Sequence, residues 1–173
     1  MLRESRQHAR WEPCMPHTTG MPLLVFTKPW RMPLPWLCAH VRSLGFDGVE
    51  LPVRPGYQVE PERARELRAA VEMFREHGLD VASVASILEE SVIAACAEAG
   101  VPILRLCVAI HMNETYPEGE RRLRQELESA MPLLERYGVA VGIQNHCGRS
   151  VANACGLRAL IGEYNPAYVC AVW

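Results

Sequence analysis

Aliphatic runs recur along the chain, and a helical pattern of apolar and charged positions follows each of the first five. PLLVF (22–26) opens the series as a strand, and Trp36 to Leu44 then reads as a helix closed by Gly45. DGVEL (47–51) is the second strand. The second helix, Pro61 to His77, is the clearest element: Pro61 suits the first helical position, Glu62 sits in the first turn, and Gly78 follows its end. Ala64, Leu67, Val71 and Phe74 share one face, while Arg and Glu side chains take the other, solvated one. LDVASV (79–84) and PILRLCV (102–108) are the third and fourth strands, joined by a helix from Ile87 to Ala99 that Gly100 closes. Glu118 to Tyr137 forms the fourth helix, with Leu123, Leu127, Leu134 and Tyr137 inward, an expected kink at Pro132, and Gly138 at its end. VAVGI (139–143), a helix from Val151 to Gly162 and AYVCAV (167–172) complete the pattern.

Strands alternating with helices imply right-handed crossovers and a parallel sheet with helices outside. A doubly wound sheet and a TIM barrel both satisfy that pattern. No strand–helix junction carries G-x-G-x-x-G or a P-loop, and several strands set polar residues opposite their aliphatic ones, as a barrel mouth does. The fold class predicted is therefore α/β, a partial TIM (β/α)8 barrel of about five and a half units. A complete barrel takes about 250 residues. The sequence reaches Trp173 inside its sixth strand, so the last units are expected to lie beyond it. Residues 1–20 lack the apolar core of a secretory signal and carry Glu4 and Glu12. They are expected to be a disordered leader or to precede a start at Met21, leaving 21–173 as the barrel domain. An unclosed parallel sheet exposes strand edges and apolar surface, so self-association into a homo-oligomer is part of the same expectation.

Composition removes several function classes. A formal net charge of −2 and the lack of a Lys/Arg stripe argue against nucleic acid as a partner. No apolar run approaches the ~20 residues that cross a bilayer, so no membrane role is expected. The seven cysteines are an odd number, and none are paired at the close spacing of zinc ligands. Cys107 and Cys170 fall inside apolar strands, where a thiol acts as a small hydrophobe. A reduced, cytoplasmic protein is the expectation.

Chemistry in a TIM barrel sits at the C-terminal ends of the strands. In the fifth strand, period-two alternation puts Val139, Val141 and Ile143 on one face and Ala140, Gly142, Gln144 and His146 on the other. Gln144 and His146 should thus point into the barrel mouth, with Asn145 at the turn. The same alternation turns Glu50 inward between Val49 and Leu51, and sets Arg105 with Cys107 opposite Leu104, Leu106 and Val108. A charge inside an apolar strand is costly to bury unpaired. Glu50 and Arg105 either satisfy each other across the lumen or hold a polar ligand. Lys28 follows the first strand as a substrate contact or a solvated lysine, with the Trp30 indole packed nearby. Arg54 is an anion contact or part of a Pro55-Gly56 surface turn, and His111 after the fourth strand is open to either kind of role.

LGFDGVEL, HGLDVASV, AGVPILRL and YGVAVGIQNHCG, in that order and spacing, resemble the xylose-isomerase-like TIM-barrel superfamily of sugar and sugar-phosphate isomerases and epimerases. The resemblance runs from about Leu23 to Trp173. It implies a divalent metal (Mn, Mg, Co or Zn) at the barrel mouth, a small-molecule sugar or sugar phosphate as substrate, and proton transfer next to a carbonyl through an enediolate. In that pattern a metal-binding Glu ends the fifth strand, where this sequence has Gln144 followed by Asn145 and His146. The next ligand, an Asp, would come just past the sixth strand. A neutral amide ligates a hard cation more weakly than a carboxylate and cannot act as a base. Taken with the strand-end positions, the resemblance leads to an expectation of metal contact from Gln144 and His146, proton transfer by Glu50 or His146, and substrate contact from Lys28, Arg54, Arg105, His111 and Asn145. It implies an enzyme for the longer protein and weak or absent metal binding and activity for these 173 residues alone. A non-catalytic sugar-binding or regulatory barrel and an inosose-type dehydratase are the alternatives.

Overall fold

The computed structural model describes residues 20–148 and 151–172; Cys14 and the expected leader before Gly20 lie outside the described residues. Six strands, β1 (Leu24–Phe26), β2 (Gly48–Pro52), β3 (Asp80–Ala85), β4 (Ile103–Leu106), β5 (Ala140–Gln144) and β6 (Val169–Val172), alternate with five α-helices. These are α1 (Leu34–Ser43), α2 (Leu67–Glu76), α3 (Glu90–Ala99), α4 (Tyr116–Tyr137) and α5 (Ala154–Ile161). The strands form one sheet in chain order, and every neighbouring pair is parallel. Sequential order is that of a partial TIM barrel; a doubly wound sheet would reverse order at its switch point.

Alternation decides which face meets the helices. Val49, Leu51, Val84, Leu104, Val141 and Ile143 are fully buried, packed in one core with helix residues such as Val71, Phe74, Leu127 and Leu134. The buried Cys38 and Cys96 belong to the same core, and burial pushes their thiols up to about 11 and about 12. These two cysteines act as small hydrophobes.

The second helix and the fourth strand depart most from the sequence expectation. The predicted second helix is two pieces: a 3₁₀ segment, Pro61–Glu66, then α2, with Arg63 off the helix at φ −120° and ψ 30°. Pro61, Ala64 and Leu67 are all buried, and their three-residue spacing is the 3₁₀ period, whereas Leu67, Val71 and Phe74 follow the α period. Helix α4 runs through Pro132 as one element. Strand β4 ends at Leu106, which leaves Cys107 in the following loop rather than in the strand.

The β4–α4 loop is tied down by one carboxylate. Glu114 accepts from Arg122 Nε at 3.0 Å and Nη2 at 3.1 Å and from the His111 amide at 2.9 Å, while Arg122 Nη2 also donates to the Ala109 carbonyl at 2.7 Å. At Gly119 an added Cβ would fall 2.4 Å from Ile110 Cδ1 and 3.1 Å from Glu114 Oε2, so a larger residue there would make these two side-chain tips shift.

Two expectations follow from this packing. A Cβ at Gly48 would stand 2.5 Å from the Asp80 carbonyl oxygen, a backbone atom that cannot step aside, and 2.9 Å from Leu24 Cδ2. Gly48→Ala should lower stability by about 1–3 kcal/mol, read from urea unfolding, whereas Gly20→Ala, with open space around it, should change little. The second concerns acid. Hydrogen bonds from Arg122, and next the His111 amide, hold the Glu114 carboxyl at about 2 rather than 4.5. A depressed carboxyl stabilises the native loop above its unfolded value, and that contribution fades as pH falls from about 4.5 through about 2. The protection factor of the His111 amide, its exchange relative to the intrinsic rate at each pH, should fall as pH drops across that window, and Arg122→Ala should return the Glu114 titration, followed by NMR, towards 4.5.

Candidate functional site

Because all six strands run parallel, their C-terminal ends share one rim, and the face opposite the helices forms the inner wall. Phe26 stands beside Glu50 in the β1–β2 register. Glu50 stands beside Ser83 because a register shift between Val49 and Glu50 inserts one extra residue in β3. Without that shift Ala82 would be the neighbour. Arg105 lies between Ala85 of β3 and Gly142 of β5.

The side chains converge on Arg105. Its Nε donates to Glu50 Oε1 at 2.6 Å, and Ser83 Oγ donates to the same oxygen at 3.1 Å. Its Nη1 donates to Gln144 Oε1, and the guanidinium carbon lies 4.6 Å from the centroid of the Phe26 ring. Arg105 is only 3% exposed and Glu50 17%. Such burial of a charge is tolerable because a carboxylate, an amide oxygen and an aromatic face surround it. One donor stays orphaned: Arg105 Nη2 is buried without an acceptor among the described residues. Thr27, fully buried, donates to the Glu50 carbonyl through its amide at 3.1 Å and its hydroxyl at 3.3 Å, fixing the end of β1 against β2.

The other predicted residues stand on the rim outside this group. Lys28 is exposed after β1, and its carbonyl accepts from Tyr57 Oη at 3.3 Å. Arg54 is half-buried at the start of a turn in which the Tyr57 amide donates to the Arg54 carbonyl at 3.1 Å. Gln58 stitches the first two loops by donating to the carbonyls of Trp30 at 3.0 Å and Met32 at 2.8 Å, and Trp30 packs edge-on against His40 at 5.0 Å. His111 is exposed on the loop that Glu114 holds. The Asn145 amide donates to the Val172 carbonyl at 3.1 Å, while Asn145 Oδ1 is buried without a donor. His146 is exposed, and its Nδ1 lies 2.8 Å from the Cys147 carbonyl. A carbonyl only accepts, so Nδ1 carries the hydrogen and Nε2 keeps its lone pair in the neutral ring.

Thus the structure unites Glu50, Arg105 and Gln144 and leaves Lys28, Arg54, His111 and His146 around them. Sequence reasoning missed Ser83 and Phe26. Inward parity with Glu50 would have found Phe26; Ser83 owes its place to the β3 irregularity, which has no sequence signature. A divalent metal does not fit this donor set. The Gln144 oxygen already serves a guanidinium, whose charge opposes a second cation there. Among the described residues no three His, Cys, Asp or Glu side chains are grouped to hold a metal ion.

The family model described as the xylose isomerase-like TIM barrel matches residues 38–169. Among curated proteins none matches the chain. Solved structures with the same fold include apo 3-keto-D-glucoside 4-epimerase YcjR from E. coli, at 14% identity and a TM-score of 0.65, over 88% of this chain and 67% of that one. A D-allulose 3-epimerase from Methylomonas sp. aligns at 10% identity and a TM-score of 0.67, over 87% of this chain and 62% of its own. A sugar phosphate isomerase/epimerase from Parabacteroides distasonis ATCC 8503 aligns at 12% identity and a TM-score of 0.61, over 89% and 68%. At such identities the likeness speaks for the fold, and this chain spans about two thirds of their length. The breadth of the family match carries the assignment: the chain belongs to the xylose isomerase-like TIM-barrel family.

Proposed function

We propose that this chain is the N-terminal part of a sugar or sugar-phosphate isomerase or epimerase that moves a proton next to a carbonyl. One observation carries the reading: Glu50, Ser83, Arg105 and Gln144 meet on the inner wall of the parallel sheet, in a fold that places its chemistry at the strand ends. Among the described residues both hydrogen bonds to the Glu50 side chain fall on Oε1, so Oε2 is the oxygen available to take a proton from a sugar carbon. Arg105 and Ser83 fix the carboxylate in place, as a positioned base requires. His146, with Nε2 as its free acceptor, is the second proton-transfer group. Lys28, Arg54 and His111 on the rim offer cationic or hydrogen-bonding contacts to a phosphorylated sugar, and Asn145 a polar contact at the end of β5.

The divalent metal implied by the family resemblance enters no step here, because Arg105 occupies the Gln144 oxygen. That same contact favours a second reading, a sugar-binding barrel without turnover, since Gln144 adds neither charge nor basicity. Dehydration of a sugar-derived ketone begins with the same α-proton removal and stays within the first reading. Nucleic acid remains an unfavoured partner on charge, and among the described residues no helix is long and apolar enough to cross a membrane. The core thiols of Cys38 and Cys96 support a reducing, cytoplasmic setting.

Deuterium uptake tests the choice. Incubated in D2O with free and phosphorylated ketoses and aldoses, the protein carrying this chain should exchange the hydrogen next to the sugar carbonyl, read by proton NMR. Sugar binding without exchange would establish the binder instead. Glu50→Gln keeps an oxygen for Arg105 Nε and removes the base, so exchange should fall by about 10²–10⁴-fold while circular dichroism reports a retained fold.

A further inference from the structure

We infer that Arg105 supplies the positive charge at the end of β5 in place of a divalent cation, and that Gln144 presents its amide NH2, not its oxygen, to the ligand. This rests on the sugar reading above and adds the chemistry of recognition: a neutral sugar oxygen, carbonyl or hydroxyl, received by a hydrogen-bond donor without metal.

The orientation of Gln144 follows from what a guanidinium can do. Arg105 only donates, so the Gln144 atom facing Nη1 must be the carbonyl oxygen, as the structure has it. The amide nitrogen is then turned away from Arg105, and the structure gives it no protein acceptor among the described residues. Gln144 itself is half-buried, so its side chain is not sealed off.

Arg105 does not vacate the position for a metal. It is held by Glu50, Gln144 and the Phe26 ring, with almost no exposure. Swinging it out would strip Glu50 of its partner and break the Gln144 contact.

The balance of donors and acceptors points the same way. Arg105 Nη2 is a buried donor with no acceptor among the described residues, and the Gln144 NH2 adds two more N–H groups. The unmatched donors call for oxygen lone pairs, which a metal ion lacks. Among the described residues of this site the acceptors without a donor are Asn145 Oδ1 at this strand end and, beside Arg105, Glu50 Oε2. A hydroxyl both gives and receives a hydrogen bond, so a sugar serves both kinds of group. Charge narrows the ligand further. Glu50 and Arg105 cancel and Gln144 is neutral, so this trio offers nothing net to a phosphate dianion; a phosphate would have to be met by Lys28 or Arg54 on the rim.

Two measurements on the full chain decide it. In the ¹⁵N-labelled protein, MnCl2 at equimolar concentration should leave the Gln144 side-chain amide signals sharp; selective paramagnetic broadening there would place the metal on Gln144 and overturn the inference. D-Fructose binding, followed by calorimetry, should persist in EDTA. Gln144→Glu keeps the oxygen and loses the donor, so it should weaken that binding about tenfold, the loss expected for one hydrogen bond. Tighter binding by Gln144→Glu, or binding only with Mn²⁺, would overturn the inference and leave the sugar reading standing. No D-fructose binding with or without Mn²⁺ would overturn the ligand assignment together with the sugar reading, while the unmodified chain's Mn²⁺ response still decides which group holds the charge.

Discussion

A single buried guanidinium organises the inner wall of this sheet. Arg105 sits on β4 with 3% of its surface exposed, and a charge so placed needs compensation from its surroundings. Compensation arrives from three other strands: the Glu50 carboxylate on β2, the Gln144 amide on β5 and the Phe26 ring on β1. Each contact fixes one strand against another, so the electrostatic requirement of one residue sets much of the geometry at the C-terminal rim. Ser83, donating to the oxygen that Arg105 also uses, brings β3 into the same arrangement.

The two faces of the sheet are stabilised by different physics. On the helix side, aliphatic burial is nearly complete and tolerant in detail, because apolar contacts are non-directional and scale with area. On the inner side, the polar group is directional: each hydrogen bond needs a specific atom at a specific angle. This division suits a catalytic or binding wall. The apolar layer holds the strands rigid, and the polar layer presents a small set of oriented groups with little freedom to reorganise.

Small residues and loop ties extend the order outwards. Gly48 lets β2 pass close to the Asp80 carbonyl, and Gly119 leaves room for the Ile110 and Glu114 side-chain tips while Glu114 and Arg122 clamp the β4–α4 loop. Gln58 and Tyr57 join the first two rim loops. The rim is thus a set of loops anchored at chosen points, with Lys28 and His111 left in solvent among the anchors.

The sequence by itself determined the repeating strand–helix plan, the inward parity of Glu50, Arg105 and Gln144, and the apolar face that the helices cover. Those features follow from local periodicity, which a one-dimensional pattern encodes directly. It also carried the family, through four loosely similar strand segments in fixed order. Tertiary structure alone decided the rest. The split of the second helix depends on Pro61, Ala64 and Leu67 all reaching the core at 3₁₀ spacing. Ser83 stands beside Glu50 only because the β2–β3 register shifts by one residue. Gln144 faces a guanidinium, and His146, two residues on, leaves the group for solvent because the backbone after β5 turns to pair with Val151. These are matters of distance between residues far apart in the chain, and parity along a strand says which wall a side chain faces but not which partner it will find there.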